Sequence, residues 1–224
     1  MARQVERPAA LGQQVVTSLR ADILSGELEP GDALVEATIG EAFGVSRGPV
    51  RDALRTLAGE GLIAASGRSY RVVGLDEKDI RDLFSLRELL EVSAAQQCAK
   101  ADPEGLRAAA EAALDAMRKA AESADSDAFA QADVSFHSAF FAFCGNRRLL
   151  AVWEQQVPTF TELFRLTTAL DHPLLSTVES HRAVLDIIDG GDPDAIAAGV
   201  RELIVGGDEQ IIATQKALRE ERGA

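Results

Sequence analysis

The sequence EATIGEAFGVSRGPVRDALRTLAGEG, residues 36–61, decides the fold of the first part of the chain. Its beginning has the apolar spacing of a short amphipathic helix, carried by Ala37, Ile39, Ala42 and Phe43. Gly44 then predicts a tight turn, and Ser46 is a typical N-cap for a second helix. Two helices joined by a short turn that contains glycine are typical of a helix-turn-helix.

The second helix is predicted to have a basic face and an apolar face. Its basic residues recur every four positions and project from one side: Arg47, Arg51 and Arg55. Its opposite, buried side is formed by Val50, Ala53, Leu54 and Leu57. A helix of this kind suits the major groove of DNA, although a solvated helix without a nucleic-acid partner can also carry arginine at every turn.

The flanking sequence completes a winged helix-turn-helix. Upstream, the apolar spacing predicts a helix that ends at Gly26. Downstream, residues 62–65 and 70–73 have the composition of two β-strands, and the SGRS between them predicts a basic turn. Gly67 and Arg68 therefore lie at the predicted tip of the wing.

These residues resemble the N-terminal domain of the GntR-type transcription regulators. The matching motifs are I-x-x-G-x-L-x-P-G-D-x-L at residues 23–34, F-G-V-S-R-x-P-V-R-x-A-L at residues 43–54 and L-x-x-E-G-L-I at residues 57–63. The resemblance implies a homodimer that binds double-stranded DNA at a near-palindromic operator, with Arg47 and Arg51 at base edges. Further candidates for DNA binding are Ser46, Gly48, Arg55, Gly67 and Arg68. Some relatives carry an arginine at the position of Ala37, so no third base contact is expected from the first helix.

Composition indicates an ordinary soluble protein, with 46% hydrophobic and 26% charged residues. No apolar run approaches the length that spans a bilayer, and the N-terminal residues lack the apolar core of a signal peptide. We therefore expect a cytoplasmic protein without a membrane partner. Cys98 and Cys144 lie in apolar helical segments without C-x-x-C spacing, which predicts buried free thiols.

The formal net charge of -13 appears unsuited to DNA, because a DNA-binding surface must neutralise phosphates. The charge is unevenly distributed, however. Residues 1–74 have a net charge of -1, whereas residues 75–224 have a net charge of -12. The acidity thus belongs to the second part of the chain, and the basic stripe and wing tip of the first part remain suited to DNA.

Gly74 and the two residues after it predict a boundary between a DNA-binding domain, residues 1–74, and a second domain, residues 75–224. Beyond it the apolar spacing is helical throughout. The predicted helices are 76–101, 103–124, 126–144, 147–169 with a kink near Pro158, 177–189, and one from 192 to about 221. The predicted fold class is mainly α: a winged helix-turn-helix followed by an all-α antiparallel bundle of six or seven helices.

The second domain resembles the FCD domain, the effector-binding bundle of the FadR branch of the GntR family. The matching motifs are R-E-L-L-E at residues 87–91, D-x-x-F-H at residues 133–137, Gly145-Asn146, His181-Arg182 and Gly191-Asp192. The resemblance implies that this domain binds a small-molecule effector, expected to be a carboxylate. The candidate effector-binding residues are Arg87, Asp133, His137 and His181.

Asp133 and His137 are four residues apart and share a helix face that has two phenylalanines on its apolar flank. Such a pair is commonly a surface ion pair or a core histidine, and the aromatic neighbours favour burial. By resemblance, Asp133, His137 and His181 match three of the four residues that bind a divalent metal in many FCD domains. Leu203 stands where the fourth, a histidine, is expected, and leucine cannot ligate a metal.

Three arrangements of this site are open from the sequence. The three ligands hold Zn²⁺ or Ni²⁺ weakly, with water or the effector completing the shell; the site binds an organic effector without a metal, as acyl-CoA-binding relatives do; or His172 enters from the loop at residues 168–175. Arg87 lies in an apolar stripe and needs an anion, which is either Glu91 one turn further on or a carboxylate ligand.

Three classes of function are compatible with these motifs. A metal-dependent hydrolase is disfavoured, because the chain has no Ser or Cys nucleophile motif, no H-E-x-x-H and no phosphate-binding loop. A DNA-binding protein without an effector would not need a separate bundle of 150 residues. We therefore expect a dimeric transcription regulator that is not an enzyme and responds to a metabolite, acting as a repressor that a small organic acid releases.

Overall fold

A computed structural model of the chain describes residues 8–67, 69–168 and 174–223, with the backbone alone for residues 8–10 and 221–223. Two compact units are present. One contains the residues up to Asp76 together with those from Gln215 onward, and the other runs from Glu77 to Thr214. The expected division at residue 74 differs from this one in the residues from Gln215 onward, which were expected to belong to the second domain. The amide of Gln215 donates a hydrogen bond to the carbonyl of Leu24 (3.1 Å), a contact between distant residues that no sequence pattern indicates.

The first unit contains the predicted helix-turn-helix. Helix α1 (Pro8–Ser25) precedes α2 (Glu36–Phe43) and α3 (Arg47–Gly59). Gly44, with φ 63°, adopts the left-handed conformation that the turn between α2 and α3 requires, and glycine adopts it without steric cost. Ser46 occupies the predicted N-cap position of α3 with an extended backbone, but its side chain makes no capping hydrogen bond.

A three-stranded antiparallel sheet forms the wing, in the order β1-β3-β2. Its strands are β1 (Ala33–Leu34), β2 (Ile63–Ser66) and β3 (Ser69–Val72). The β2-β3 hairpin confirms the prediction, whereas β1 was missed because two residues are too few to show an alternating pattern. Exposed Gly67 lies at the tip of the hairpin. Arg68, the other residue predicted there, lies outside the described residues.

The second unit is helical in its described residues, as predicted. Its helices are α4 (Glu77–Ala101), α5 (Pro103–Glu122), α6 (Ser126–Phe143), α7 (Arg147–Thr168), α8 (Leu174–Asp189), α9 (Pro193–Ile204) and α10 (Gly207–Gly223), the last of which ends among the residues assigned to the first unit. The prediction of one long C-terminal helix was wrong. The helix breaks at Val205, which has a non-helical ψ of 134°, and Gly206, which has φ 79°.

Helix α6 lies at the centre of the second unit and packs against α5 and α7. Four of its phenylalanines are fully buried: Phe129, Phe136, Phe140 and Phe141. Phe141 stacks on Trp153 of α7 with ring centroids 4.6 Å apart. Cys98 and Cys144 are buried free thiols, as predicted, and burial raises the pKa of Cys98 to about 12. None of the described helices is long and apolar enough to cross a membrane.

Candidate functional site

The three arginines predicted to contact DNA lie on the exposed face of α3. Arg51 is held by Glu36, the first residue of α2, through contacts of 3.2 Å from Nε and Nη2 to the two carboxylate oxygens. These hydrogen bonds lower the pKa of the Glu36 carboxyl group. Arg55 contacts Asp52 at 3.4 Å, and Arg47 forms no ion pair with a residue that the structure describes. The carboxylate of Glu36 at the start of α2 thus orients one arginine of the stripe.

A cavity of about 130 Å³ in the second unit brings together the four residues predicted to bind the effector. Arg87 comes from α4, Asp133 and His137 from α6, and His181 from α8. All four residues are buried, with at most 9% of the surface of each residue exposed. Leu203 of α9 also lines the cavity, so the apolar residue at the expected ligand position does face this site.

Arg87 forms a buried ion pair with Glu91, one turn further along α4. Its Nε lies 2.5 Å from Oε1 of Glu91, which is fully buried. The guanidinium group also lies over three aromatic rings, 4.9 to 5.6 Å from the centroids of Phe84, Phe160 and Phe164. Burial alone would raise the pKa of Glu91, but Arg87 and His137 lower it to about 2. The anion that Arg87 requires is therefore supplied by the protein itself.

The hydrogen bonds of the two histidines determine which ring nitrogen carries a proton. Nδ1 of His181 lies 2.7 Å from the carbonyl oxygen of Thr177, which can only accept, so Nδ1 is protonated. Nδ1 of His137 likewise donates to Oε2 of Glu91 (2.7 Å). When the rings are neutral, Nε2 of each therefore carries a lone pair, and that of His137 accepts a hydrogen bond from Nη2 of Arg87 at 2.8 Å.

Three electron-rich atoms consequently face one another in the cavity. Nε2 of His137 lies 3.2 Å from Nε2 of His181, and Oδ1 of Asp133 lies 3.3 Å and 3.5 Å from these nitrogens. Oδ1 is buried and receives no hydrogen bond from a described residue. Burial raises the pKa of Asp133, whereas the two histidines, when protonated, hold it well below its usual range. Such a group of acceptors attracts a cation.

The protonation of His137 is subject to two opposing effects. Burial lowers its pKa and so does Arg87, but Glu91 and Asp133 outweigh them and raise it. A proton on Nε2 would face the N–H group of Arg87, because a guanidinium group can only donate. The arginine contact therefore requires the neutral ring, whereas the carboxylates favour the charged one.

The donor set fits a divalent metal ion. Donors bound at about 2.0–2.1 Å in a tetrahedral shell are roughly 3.3 Å apart, which matches the three distances among Asp133, His137 and His181. Leu203 provides no fourth ligand. His172, the alternative fourth ligand, lies outside the described residues. A metal ion could therefore use three side chains of the described part of the chain at this position.

Two residues important for the site were not among the predicted site residues. Glu91 was considered only as a partner of Arg87, yet it also orients His137. Its spacing of four residues from Arg87 within an apolar stripe was the available signal. Thr177 orients His181 through its backbone carbonyl, and because every residue has a carbonyl group, no sequence signal could have identified it.

Comparison with protein families gives two matches that divide the chain. The family described as "Bacterial regulatory proteins, gntR family" matches residues 11–72, and the FCD domain matches residues 82–206. FCD domains can bind metal and small-molecule effectors. The first match includes the arginines of α3, and the second includes the four residues predicted to bind the effector.

Several characterised proteins are similar in sequence. The gluconate operon transcriptional repressor of Bacillus subtilis is 33% identical over 71% of this chain, and the match spans 65% of its own length. The "Probable D-xylose utilization operon transcriptional repressor" of Paenarthrobacter nicotinovorans is 31% identical over 82% of this chain and 81% of its own. The match to the first relative therefore covers less than two thirds of that protein.

Solved structures share the fold. The Escherichia coli protein McbR/YncC has a TM-score of 0.69 at 21% identity. The match covers 95% of this chain and 98% of the Escherichia coli chain. A GntR regulator from Rhodococcus sp. RHA1 has a TM-score of 0.68 at 23% identity. The match covers 91% of this chain and 98% of the Rhodococcus chain. At these identities the likeness is evidence for the fold and for nothing finer.

Proposed function

The chain belongs to the GntR family of bacterial regulatory proteins and carries an FCD domain, and from this premise we propose that it is a transcription regulator controlled by a small organic acid. Members of this family are transcription regulators and not enzymes, so the hydrolase alternative is set aside. The observation that carries the proposal is the cavity with the buried side chain of Arg87 in its wall, in a chain that also has an exposed arginine stripe.

For the DNA-binding function, we assign base contacts to Arg47 and Arg51. Arginine donates two parallel hydrogen bonds to guanine in the major groove, the commonest specific contact of such helices. Arg55, already paired with Asp52, is assigned to phosphate. The residues assigned to the edge of the interface are Ser46, Gly48 and Gly67, all exposed, with Arg68 beyond the described residues. The target is a near-palindromic operator bound by a homodimer in the cytoplasm.

For the sensing function, the size of the cavity favours a compact ligand, and Arg87 in its wall favours an acid. Its volume of about 130 Å³ is close to the roughly 150 Å³ of an engineered cavity that binds benzene, which is much too small for an acyl-CoA. Nη1 of Arg87 forms no hydrogen bond with a described residue, so it can donate to a carboxylate. Gluconate, which the name of one relative mentions, belongs among the first acids to test.

A metal ion is compatible with this proposal but is not required by it. Asp133, His137 and His181 would hold Zn²⁺ or Ni²⁺, and the ion would supply a positive centre for a carboxylate. With three protein ligands and an apolar fourth side, we expect such an ion to be bound weakly. Arg87 provides a positive charge in the same cavity without a metal.

A ligand that stabilises the protein is expected to change operator affinity by about 5- to 150-fold, the usual range of coupling between two sites. The reason is linkage, since an effector controls DNA binding only by binding the competent and incompetent states with different affinity. Organic acids, with and without Zn²⁺, are first screened by thermal shift. Operator affinity is then measured by fluorescence anisotropy at fixed salt.

The uncharged amide of each active acid serves as the control. It has nearly the same shape but lacks the charge that Arg87 is proposed to bind, so it should change neither the melting temperature nor the operator affinity. An acid that raises the melting temperature strongly and leaves operator affinity unchanged would leave the sensing function without a mechanism.

A further inference from the structure

In this cavity, one nitrogen atom of His137 both contacts Arg87 and belongs to the group of atoms that fits a metal ion. Nε2 of His137 belongs to the group of three acceptors that fits a metal ion, and it also accepts the hydrogen bond from Arg87. A ring nitrogen has a single lone pair in the ring plane, so it cannot bind both. We propose that Arg87 and a divalent metal ion compete for this lone pair, and that Arg87 makes the protein a poor metal binder.

Arg87 is firmly held in the position that blocks the metal. Its Nε contacts Glu91 at 2.5 Å, its Nη2 contacts His137 at 2.8 Å, and its side chain is 5% exposed. Three phenylalanine rings surround the guanidinium group. A metal ion can take the lone pair only if Arg87 gives up a charge-assisted contact in a buried site, where alternative partners are few.

The charges of the cavity also oppose the binding of a metal ion while Arg87 is present. With neutral histidines, the buried groups Arg87, Glu91 and Asp133 carry one positive and two negative charges. A divalent cation beside Arg87 would give this low-dielectric site a net positive charge. Without Arg87, the two carboxylates would balance the cation. Removing the arginine should therefore free the lone pair and also remove a repulsive charge.

Leu203 alone does not account for weak metal binding under this proposal. A site of three protein ligands that is otherwise free can still hold Zn²⁺ with water as its fourth ligand, as catalytic zinc sites do. Asp133, His137 and His181 have suitable distances for that arrangement. The proposal therefore makes Arg87 the dominant obstacle, which separates it from the simple loss of a ligand.

The test measures Zn²⁺ affinity of the full-length protein by competition with a chromophoric chelator, and Co²⁺ coordination by visible absorption. Arg87→Met should bind Zn²⁺ about 10- to 100-fold more tightly than wild type, because a hydrogen bond to a charged group no longer opposes the metal. Arg182→Met is the matched control. Arg182 follows His181 directly but contacts Glu111, so its loss should leave Zn²⁺ affinity unchanged.

A second variant addresses folding, because Arg87→Met leaves the Glu91 charge buried without its partner. Arg87→Met/Glu91→Gln removes both charges, and the amide oxygen can still accept from Nδ1 of His137. It should fold, as judged by circular dichroism, and should still exceed wild-type Zn²⁺ affinity severalfold. In both variants, Co²⁺ should give the intense visible bands of a low-coordinate site that wild type lacks.

The results that would overturn the proposal are specific. The first is that wild type binds Zn²⁺ as tightly as both Arg87 variants. The second is that Leu203→His alone restores tight binding while Arg87→Met changes nothing. Either result would show that Arg87 does not oppose the metal. The proposal concerns the cavity assigned to the effector in the proposed function, but its test uses neither DNA nor effector. Its failure would therefore leave the regulatory function standing, and the reverse also holds.

Discussion

Glu91→Ala is expected to lower the free energy of unfolding of the second unit by about 3–5 kcal/mol, the usual cost of removing one partner from a buried ion pair. Glu91 is fully buried and accepts hydrogen bonds from Arg87 at 2.5 Å and His137 at 2.7 Å. Its loss leaves the Arg87 charge without an anion in a low-dielectric environment and leaves Nδ1 of His137 without an acceptor. This is the largest stability effect that we expect from the site.

Unfolding in urea can be followed through Trp153, the single tryptophan of the chain. It is buried in the second unit, so its fluorescence reports on that unit and not on the DNA-binding one. Glu88→Ala is the matched control. Glu88 lies on the same helix, but its side chain is 42% exposed and pairs with Arg201, so its removal should cost less than about 1 kcal/mol. Equal losses in the two variants would contradict the buried role of Glu91.

Replacing both Arg47 and Arg51 by alanine is expected to weaken operator binding at least about 25-fold. Each bidentate contact between arginine and guanine contributes about 5- to 150-fold of discrimination, and the effects of the two positions should multiply. Both side chains are on the exposed face of α3. The double variant should also lose most of its preference for the operator over a scrambled duplex.

Arg55→Ala is the control for this comparison, because it removes a basic residue from the same stripe. A phosphate contact carries no sequence information, so this variant should bind the operator and the scrambled duplex more weakly to a similar, smaller extent. It should also release about one counterion fewer on binding, which lowers the salt dependence of the affinity. The measurement is fluorescence anisotropy at several salt concentrations. If the double variant bound the operator as tightly as wild type, the assignment of α3 to the major groove would have to be abandoned.

Sequence prediction missed one break within a helix and two contacts between distant residues. The apolar spacing continues through residues 193–212, so one helix was predicted, but the chain breaks at Val205 and Gly206. Strand β1 exists only because Ala33 and Leu34 pair with β3. Gln215 contacts Leu24, although nothing in either sequence segment indicates the other. The partners of β1 and of Gln215 are distant along the chain, whereas the helix break lies at the local sequence Val205-Gly206-Gly207.

The sequence by itself determined the winged helix-turn-helix and the helical second unit, and its resemblance to FCD domains identified four of the residues that line the cavity. These features depend on local signals: apolar spacing that matches the helical repeat, glycine at a left-handed turn, and arginine or histidine at intervals of one helical turn. The resemblance to FCD domains likewise placed Leu203 at the site, and it does line the cavity.

Only the tertiary structure decided how these side chains are connected. The sequence left open whether Arg87 binds Glu91 or a ligand, and the packing of α4 against α6 places it between Glu91 and His137. The same packing fixes the proton positions on both histidines and brings three acceptor atoms within 3.5 Å. Hydrogen bonds depend on distances of a few tenths of an ångström between separate helices, and these distances are set by the packing of the whole core.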